Sequence, residues 1–197
     1  LELFHPQSSI PKPKDTVVVF EVDVGVPADT KWTDSTLSKE PAGIDMQDYM
    51  HGNCVAKTIC RYMTPELIFL RAPYGGVDIN SVVFSNQLMK ILAYICENPE
   101  VKTVVNFSVG CPFAHRGMLL DALLIKAIYS KGGIIVAAAG NENNSEVGFP
   151  GVVPEVVTVA AIDSEGRKAT YSNYGKSIDL AAFGTPQIAG FGEFISP

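Results

Sequence analysis

The 197-residue sequence has few basic residues and no long apolar run. It carries 15 Lys and Arg against 21 Asp and Glu, with a formal net charge of −6 and no basic cluster. Binding of nucleic acid needs such a cluster to contact phosphates, so we expect no nucleic-acid partner. No apolar stretch approaches the length of a membrane-spanning helix, and the N-terminus lacks a signal-peptide pattern, so no membrane association is expected.

Cysteine is also scarce. Cys54, Cys60, Cys96 and Cys111 show neither CxxC spacing nor the density of a disulfide scaffold. Cys54 and Cys60 are six residues apart on one predicted helix and face different directions, so we expect no disulfide between them. His51 and Cys54 are spaced like half of a zinc site, but no second ligand pair lies nearby, so no metal is expected there.

The composition is that of a globular protein. Hydrophobic residues make up 47% of the chain and charged residues 18%, which excludes a disordered or fibrous chain. Residues 1–15 contain Pro6, Pro11 and Pro13 among polar neighbours, and we predict an irregular lead-in there. Residues 16–197 are predicted to form one domain.

Short apolar runs alternate with segments of helical periodicity along this domain. The predicted strands are 16–22, 66–72, 102–110, 134–141, 156–163 and 177–184. The predicted helices are the second half of 43–63, 79–97 and 117–133. Continuous apolar strands separated by helices favour an α/β fold, a mostly parallel central sheet with helices on both faces. In such sheets, functional residues lie just beyond the carboxyl ends of the strands.

An acid, an imidazole and an amide occur at or near these strand ends. Asp23 follows the first strand, His51 lies early in the first long helix, and Asn141 ends the strand that begins at 134. A carboxylate that orients an imidazole, an imidazole that accepts a hydroxyl proton and an amide that binds an oxyanion are three of the four parts of acyl transfer at serine. Each residue alone also fits a turn, a cap or a packing position.

The motifs around these residues resemble those of the subtilisin-like serine proteases, in the order in which that family carries them. The similar segments are "VVVFEVDVGV", "HGNCVAKTI", "VVNFSVG", "VAAAGNENN", "VGFPGVVPEVVTVAAID", "ATYSNYG" and "IDLAAFG". The resemblance covers most of residues 16–190. It implies a subtilisin-like catalytic domain over 16–197 that hydrolyses peptide bonds through an acyl-enzyme.

The resemblance also implies roles for individual residues. Asp23 would orient His51, the general base, and Asn141 would donate a hydrogen bond to the oxyanion. The residues implied to bind the peptide substrate or to line its pocket are Ser108, Val109, Gly110, Ala138, Ala139, Gly140 and Gly148. Small residues around the pocket predict tolerance of apolar or aromatic side chains. Calcium is compatible with the resemblance, but no dense acidic loop names a site and no other cofactor is expected. Phe149–Pro150 matches a place where the family can carry a cis peptide.

The sequence departs from the family at the nucleophile. No Gly-Thr-Ser-Met/Phe-Ala-x-Pro segment occurs, and in register Gly184 closes the strand that precedes it. We therefore expect the serine on a C-terminal fragment, either a following segment or a separate piece. A cleaved protease and a truncated chain both fit this expectation, and a pseudoprotease that only binds peptides is the alternative. A nucleotide-binding domain is less favoured, because no strand is followed by GxGxxG or a P-loop.

Two further residues stand out beside the motifs. Glu21 occupies a strand position that should be buried, so it needs a Lys or Arg partner, a displaced strand or a proton. Cys54, one turn from His51, is interpreted as a small buried helix residue rather than a thiol of the site. The resemblance favours secretion, whereas four unpaired thiols favour an intracellular compartment.

Overall fold

The structure is a computed structural model in which the chain is described over most of the predicted domain. The described residues are 17–23, 46–63, 65–71, 74–75, 78–79, 81–111, 118–184, 187–188 and 192–193. The predicted lead-in at 1–15 lies outside them. The elements, in chain order, are β1 Val18–Asp23, α1 Met46–Tyr62, β2 Glu66–Arg71, β3 Tyr74–Gly75, β4 Asp78–Ile79, α2 Ser81–Glu97, β5 Thr103–Phe107, α3 Met118–Ser130, β6 Ile134–Ala138, β7 Val156–Ile162, β8 Leu180–Phe183, β9 Gln187–Ile188 and β10 Gly192–Glu193.

Six strands form one sheet in the order β2-β1-β5-β6-β7-β8, and all neighbours in it are parallel. The predicted α/β fold with a parallel central sheet is therefore confirmed. The predicted strand bounds were wrong by up to three residues, and β5 ends at Phe107 rather than at residue 110. Asp23 is the last residue of β1 rather than the residue after it, and β6 ends at Ala138, three residues before Asn141. Gly140 has φ +99°, which an extended strand cannot adopt, so the chain leaves the sheet before it reaches Asn141.

One face of the sheet, here called the closed face, packs against α2 and α3. Side chains alternate between the two faces of a strand, so every second residue of each strand reaches this layer. The buried cluster includes Val18, Phe20, Val22, Ile68, Leu70, Val105, Phe107, Ile135 and Ala137 of the strands, and Phe84, Leu88, Ile91, Ile125 and Ile128 of the helices. This layer is the hydrophobic core of the molecule.

The opposite face, here called the open face, carries α1 over β1 and is less covered farther along the sheet. The strand register aligns Glu21, Asn106, Val136 and Val157 in one row across this face. Glu21 is fully buried, whereas the other three are only half-buried. Ile134, at the start of β6, is 55% exposed. Coverage of the open face therefore falls from β1 towards β7.

All four cysteines lie among the described residues, and none of them forms a disulfide. Cys54 is buried on α1, as its interpretation as a packing residue requires. In the part of the chain that the structure describes, no helix combines the length and the apolar character that crossing a membrane requires.

Candidate active site

Asp23 and His51 contact each other at the carboxyl end of β1. α1 passes over β1 on the open face, and Nδ1 of His51 lies 2.5 Å from Oδ1 of Asp23. Both side chains are buried, with exposed fractions of 0% for Asp23 and 5% for His51. If Asp23 is ionised, its carboxylate can only accept this hydrogen bond, and Nδ1 is the donor. In that tautomer of a neutral ring, the lone pair is on Nε2, the nitrogen that a general base uses.

Three strand ends lie side by side at this edge of the sheet. Val22, Phe107 and Ala137 are in register on the neighbouring strands β1, β5 and β6. With about 4.8 Å between neighbouring strands, the ends of β1 and β6 are about 10 Å apart. Asn141 follows β6 on a short loop and is half-buried. Its side chain makes no hydrogen bond to any residue that the structure describes, so its amide is available to a ligand.

The residues predicted to bind a peptide backbone follow β5. Ser108 and Val109 are half-buried and Gly110 is exposed, so this segment borders solvent. Nδ2 of Asn106 donates a hydrogen bond of 3.0 Å to Oγ of Ser108 and fixes that hydroxyl. The backbone groups of 108–110 form no sheet hydrogen bonds with another described strand, which leaves this segment as an edge to which an extended chain can add.

The segment after Gly110 is closed by residues 147–150. Cys111 and Phe149 exchange two backbone hydrogen bonds of 2.9 Å, which holds Gly148 next to this end of the cleft. A Cβ atom on Gly110 would lie 3.2 Å from the carbonyl oxygen of Phe149, so glycine permits the close approach. The Phe149–Pro150 peptide is cis, as the resemblance suggested.

The small residues after β6 differ in their surroundings. Ala138 is half-buried at the strand end, whereas Ala139 is buried in a small cluster with Val147 and Ala160. Gly140 has no room for a side chain, because a Cβ atom there would lie 2.5 Å from Nδ2 of Asn173. Their roles in a substrate pocket stay predictions.

Glu21 lies two residues before Asp23 on the same face of β1. Its carboxyl group is fully buried, and neither oxygen has a hydrogen-bond partner among the described residues. The register with β2 and β5 continues through Glu21, so the strand is not displaced. Burial, and secondarily the charge of Asp23, raises the pKa of Glu21 from 4.5 to about 9. Of the three expectations for Glu21, the proton is the one that the structure supports.

The Cys54 thiol lies close enough to Asp23 for the charge of that side chain to affect the pKa of the thiol. Burial, the largest cause, raises the pKa of Cys54, and the charge of Asp23 raises it further, while Lys57 acts in the opposite direction. A raised pKa keeps the group as an unreactive thiol at neutral pH. Cys54 therefore has the properties of a packing residue.

Sequence reasoning missed Asn173, whose side chain binds the loop that carries Asn141. Its amide forms four hydrogen bonds to residues 29 to 34 positions earlier in the chain. A contact between residues so far apart in the sequence leaves no local pattern. The "ATYSNYG" motif indicated that segment 169–175 resembles the family, but it did not single out Asn173. Among the described residues, no group of three or more His, Cys, Asp or Glu side chains is placed to hold a metal ion, so no calcium site is assigned.

Sequence comparisons bear on the family of the chain. A sequence model of the subtilase family, peptidase S8, matches residues 27–193. The chain is 31% identical over 147 residues to the extracellular serine proteinase of Thermus sp. (strain Rt41A), a match covering 73% of this chain and 35% of that protein. It is 38% identical over 86 residues to the thermophilic serine proteinase of Bacillus sp. (strain AK1), covering 44% of this chain and 21% of that protein. These matches span about a third or less of each relative's length.

Solved structures share the fold. A cold-adapted subtilisin-like serine proteinase superposes with a TM-score of 0.67 at 23% identity, covering 87% of this chain and 64% of that chain. A lanthipeptide protease superposes with a TM-score of 0.64 at 17% identity, covering 89% of this chain and 57% of that chain. At these identities the likeness establishes a subtilisin-like α/β fold.

Proposed function

We propose that this chain, which belongs to the subtilase family, is the larger part of a serine endopeptidase. It supplies the acid, the base and the oxyanion amide, and a following or separate segment supplies the serine. The observation that carries the proposal is the 2.5 Å contact between buried Asp23 and His51 at the carboxyl end of β1. That pairing is the arrangement in which a carboxylate fixes the tautomer of a catalytic imidazole.

The proposed reaction follows from these groups. Asp23 holds the proton of His51 on Nδ1, so Nε2 accepts the proton of the serine hydroxyl as its oxygen attacks the peptide carbonyl. Asn141 donates a hydrogen bond to the oxygen of that carbonyl as it becomes negative. His51 then gives its proton to the leaving amine, and water completes the hydrolysis of the acyl-enzyme. These groups supply the acid–base and electrostatic chemistry of the reaction without a cofactor.

We propose that a peptide substrate lies along the segment after β5. Ser108, Val109 and Gly110 border solvent there and offer backbone groups to an extended chain. The small residue Ala138 leaves room for the side chain before the cut bond, and Gly148 is proposed to lie near the base of that space. We therefore expect cleavage after apolar or aromatic residues, which a series of peptides varied at that position would measure. A strict preference for a charged residue would contradict this specificity.

The incomplete cover of the open face supports a missing segment. Parallel sheets are normally covered on both faces, because their strands are apolar on both. Here Val136 and Val157 are half-buried and Ile134 is 55% exposed, on the same face as Asp23. A segment that covered these residues would lie next to the Asp23–His51 pair. We propose that the serine-bearing segment is what covers them.

Labelling with a fluorophosphonate tests the proposal. The protein is purified with its associated segments, treated with the probe and digested, and the labelled residue is identified by mass spectrometry. We expect label on a serine in a Gly-Thr-Ser segment, and a loss of labelling in the His51→Ala variant. Binding of peptides without any labelling of the intact assembly would overturn the proposal and favour the peptide-binding pseudoprotease.

The compartment is proposed from the family. The Thermus relative is named as an extracellular proteinase, and we propose secretion for this protein as well. The four cysteines without disulfides are the opposing observation, since oxidising compartments favour disulfides. Detection of the protein in the medium of the producing cells would decide between the two.

A further inference from the structure

The loop that carries Asn141 is attached to a second loop by one buried side chain. Asn173 lies between β7 and β8 and is 2% exposed. Its Nδ2 donates hydrogen bonds of 3.0 Å to the carbonyl of Ala139 and 2.6 Å to Oε2 of Glu142. Its Oδ1 accepts hydrogen bonds of 3.1 Å from the amide of Glu142 and 2.9 Å from the amide of Asn144. One amide group thus contacts the loop on both sides of Asn141.

Backbone hydrogen bonds reinforce the same attachment. The amide of Asn173 donates to the carbonyl of Gly140 at 3.0 Å, and the amide of Tyr174 donates to the carbonyl of Asn144 at 2.9 Å. The residues on either side of Asn141 are therefore held, while its own side chain stays without a hydrogen bond to the described residues. This arrangement fixes the backbone on either side of Asn141. The side-chain NH₂ group of Asn141 then remains available to donate a hydrogen bond to a ligand.

Gly140 is adapted to this attachment. Its φ of +99° lies in the left-handed region, and a Cβ atom there would lie 2.5 Å from Nδ2 of Asn173 and 2.6 Å from Oε2 of Glu142. A side chain at position 140 would displace the Asn173 amide. The turn before Asn141 and the buried amide behind it therefore depend on each other.

We propose that Asn173 is a positioning residue that fixes the 139–144 loop so that Asn141 can stabilise the oxyanion. A preformed donor avoids reorganisation when charge develops on the substrate oxygen, which is why the rigidity of the loop matters to the rate. Asn173 itself touches no reacting atom in this scheme. The catalytic part of this inference rests on the proposed function, whereas the rigidity of the loop does not.

Hydrogen exchange of the intact protein tests the rigidity directly. Asn173→Ala removes the acceptor of the Glu142 and Asn144 amides, and we expect these two amides to exchange at least about tenfold faster. The matched control is Asn98→Ala, because Asn98 is also a buried asparagine and donates a 2.8 Å hydrogen bond to the Tyr94 carbonyl away from the loop. That control should leave exchange at Glu142 and Asn144 unchanged. Unaltered exchange of both amides in Asn173→Ala would overturn the proposal.

A second variant keeps the test valid if Asn173→Ala does not fold. Asn173→Asp, made together with Glu142→Gln so that two carboxylates do not face each other, retains the shape and the oxygen that accepts from the amides of 142 and 144. It loses the hydrogen bonds that Nδ2 donates to the Ala139 carbonyl and to the side chain at 142. We expect the two amides to remain protected to within about threefold of the wild type. Equal loss of protection in both variants would show that the acceptor oxygen is not what holds the loop, and would contradict the proposal.

Kinetics of the protein with its serine-bearing segment test the catalytic part. In Asn173→Ala we expect kcat to fall about tenfold or more with KM changed less than about twofold. In an Asn141→Ala background the same substitution should cost less than about threefold, because its effect passes through Asn141. Additive losses in the two backgrounds would overturn the positioning role. Absence of turnover in the wild type would instead refute the proposed protease, while exchange at Glu142 and Asn144 would still decide whether Asn173 holds the loop.

Discussion

The closed face of the sheet is lined by aliphatic and aromatic side chains, whereas the open face carries Asp23, Glu21 and the helix that brings His51 to them. On the closed face, Ile135 and Phe107 are buried against two helices. On the open face, β1 buries the ionisable Glu21 and Asp23 beside Val19, whereas Val136 and Val157 of β6 and β7 are partly exposed. The two faces therefore have different roles. Packing on one face stabilises the sheet, and the other can hold a buried acid–imidazole pair at some cost in stability.

The largest expected effect concerns the chemistry of the open face. Removal of the histidine of subtilisin itself lowers kcat by about 10⁶-fold, and we expect a loss of that order for His51→Ala in the serine-complemented protein. Cys54→Ala, one turn along α1, is the control and should change kcat less than about twofold. A loss of activity in the cysteine variant as large as in the histidine variant would mean that α1 is simply sensitive to substitution.

The pH dependence of stability should separate Glu21 from ordinary acids. The pKa of Glu21 is raised to about 9 in the folded protein, so its contribution is fully present below pH 4.5 and is lost as the pH rises through about 9. Glu21→Gln should remove this loss, which is on the order of 5 kcal/mol over that range. Urea unfolding at several pH values measures it.

A matched control for that measurement is Glu97→Gln, since Glu97 is an exposed acid on α2. Its stability curve should follow that of the wild type at alkaline pH. If Glu21→Gln also follows the wild type, the carboxyl group is not held neutral, and the open face tolerates two charges.

Ile134 and Ile135 are neighbours on β6 that lie on opposite faces of the sheet. The same substitution at each position therefore compares the two faces. Ile135 is 1% exposed on the closed face, and Ile134 is 55% exposed on the open face. Ile135→Ala should cost about 2–5 kcal/mol of unfolding free energy, and Ile134→Ala less than about 1 kcal/mol. Adding the serine-bearing segment should raise the cost at Ile134 only. Equal costs at both positions would remove the distinction between the faces.

The smallest effect is expected for two glycines with positive φ. An alanine at Gly140 meets both an unfavourable φ and the Asn173 amide, whereas Gly166, with φ +78°, has nothing within 4 Å of a Cβ atom. Gly166→Ala should cost about 1 kcal/mol from the backbone alone. Gly140→Ala should cost about 1–3 kcal/mol and should also lower kcat. Thermal unfolding and kinetics of both variants give the comparison, and an unchanged kcat in Gly140→Ala would weaken the link between the loop and catalysis.

The sequence predicts the parts of this molecule that local patterns specify. The run of mostly apolar residues at 102–110 predicted a strand, which the structure has at Thr103–Phe107, and the Asp23 and His51 motifs name two residues that the structure brings into contact. The end of β6 was mispredicted because an apolar run does not reveal the positive φ of Gly140. Asn173 and the neutral state of Glu21 depend on contacts between distant segments, which a linear pattern cannot specify.

The attachment of the Asn141 loop by Asn173 has a consequence for biosynthesis. A ribosome makes the chain from its amino end, so Asp23 and His51 are synthesised long before Asn173 emerges. Until then, the amides of Glu142 and Asn144 lack the buried acceptor that they have in the folded protein. The loop that carries the proposed oxyanion donor is thereby fixed only after nearly the whole described chain has been translated.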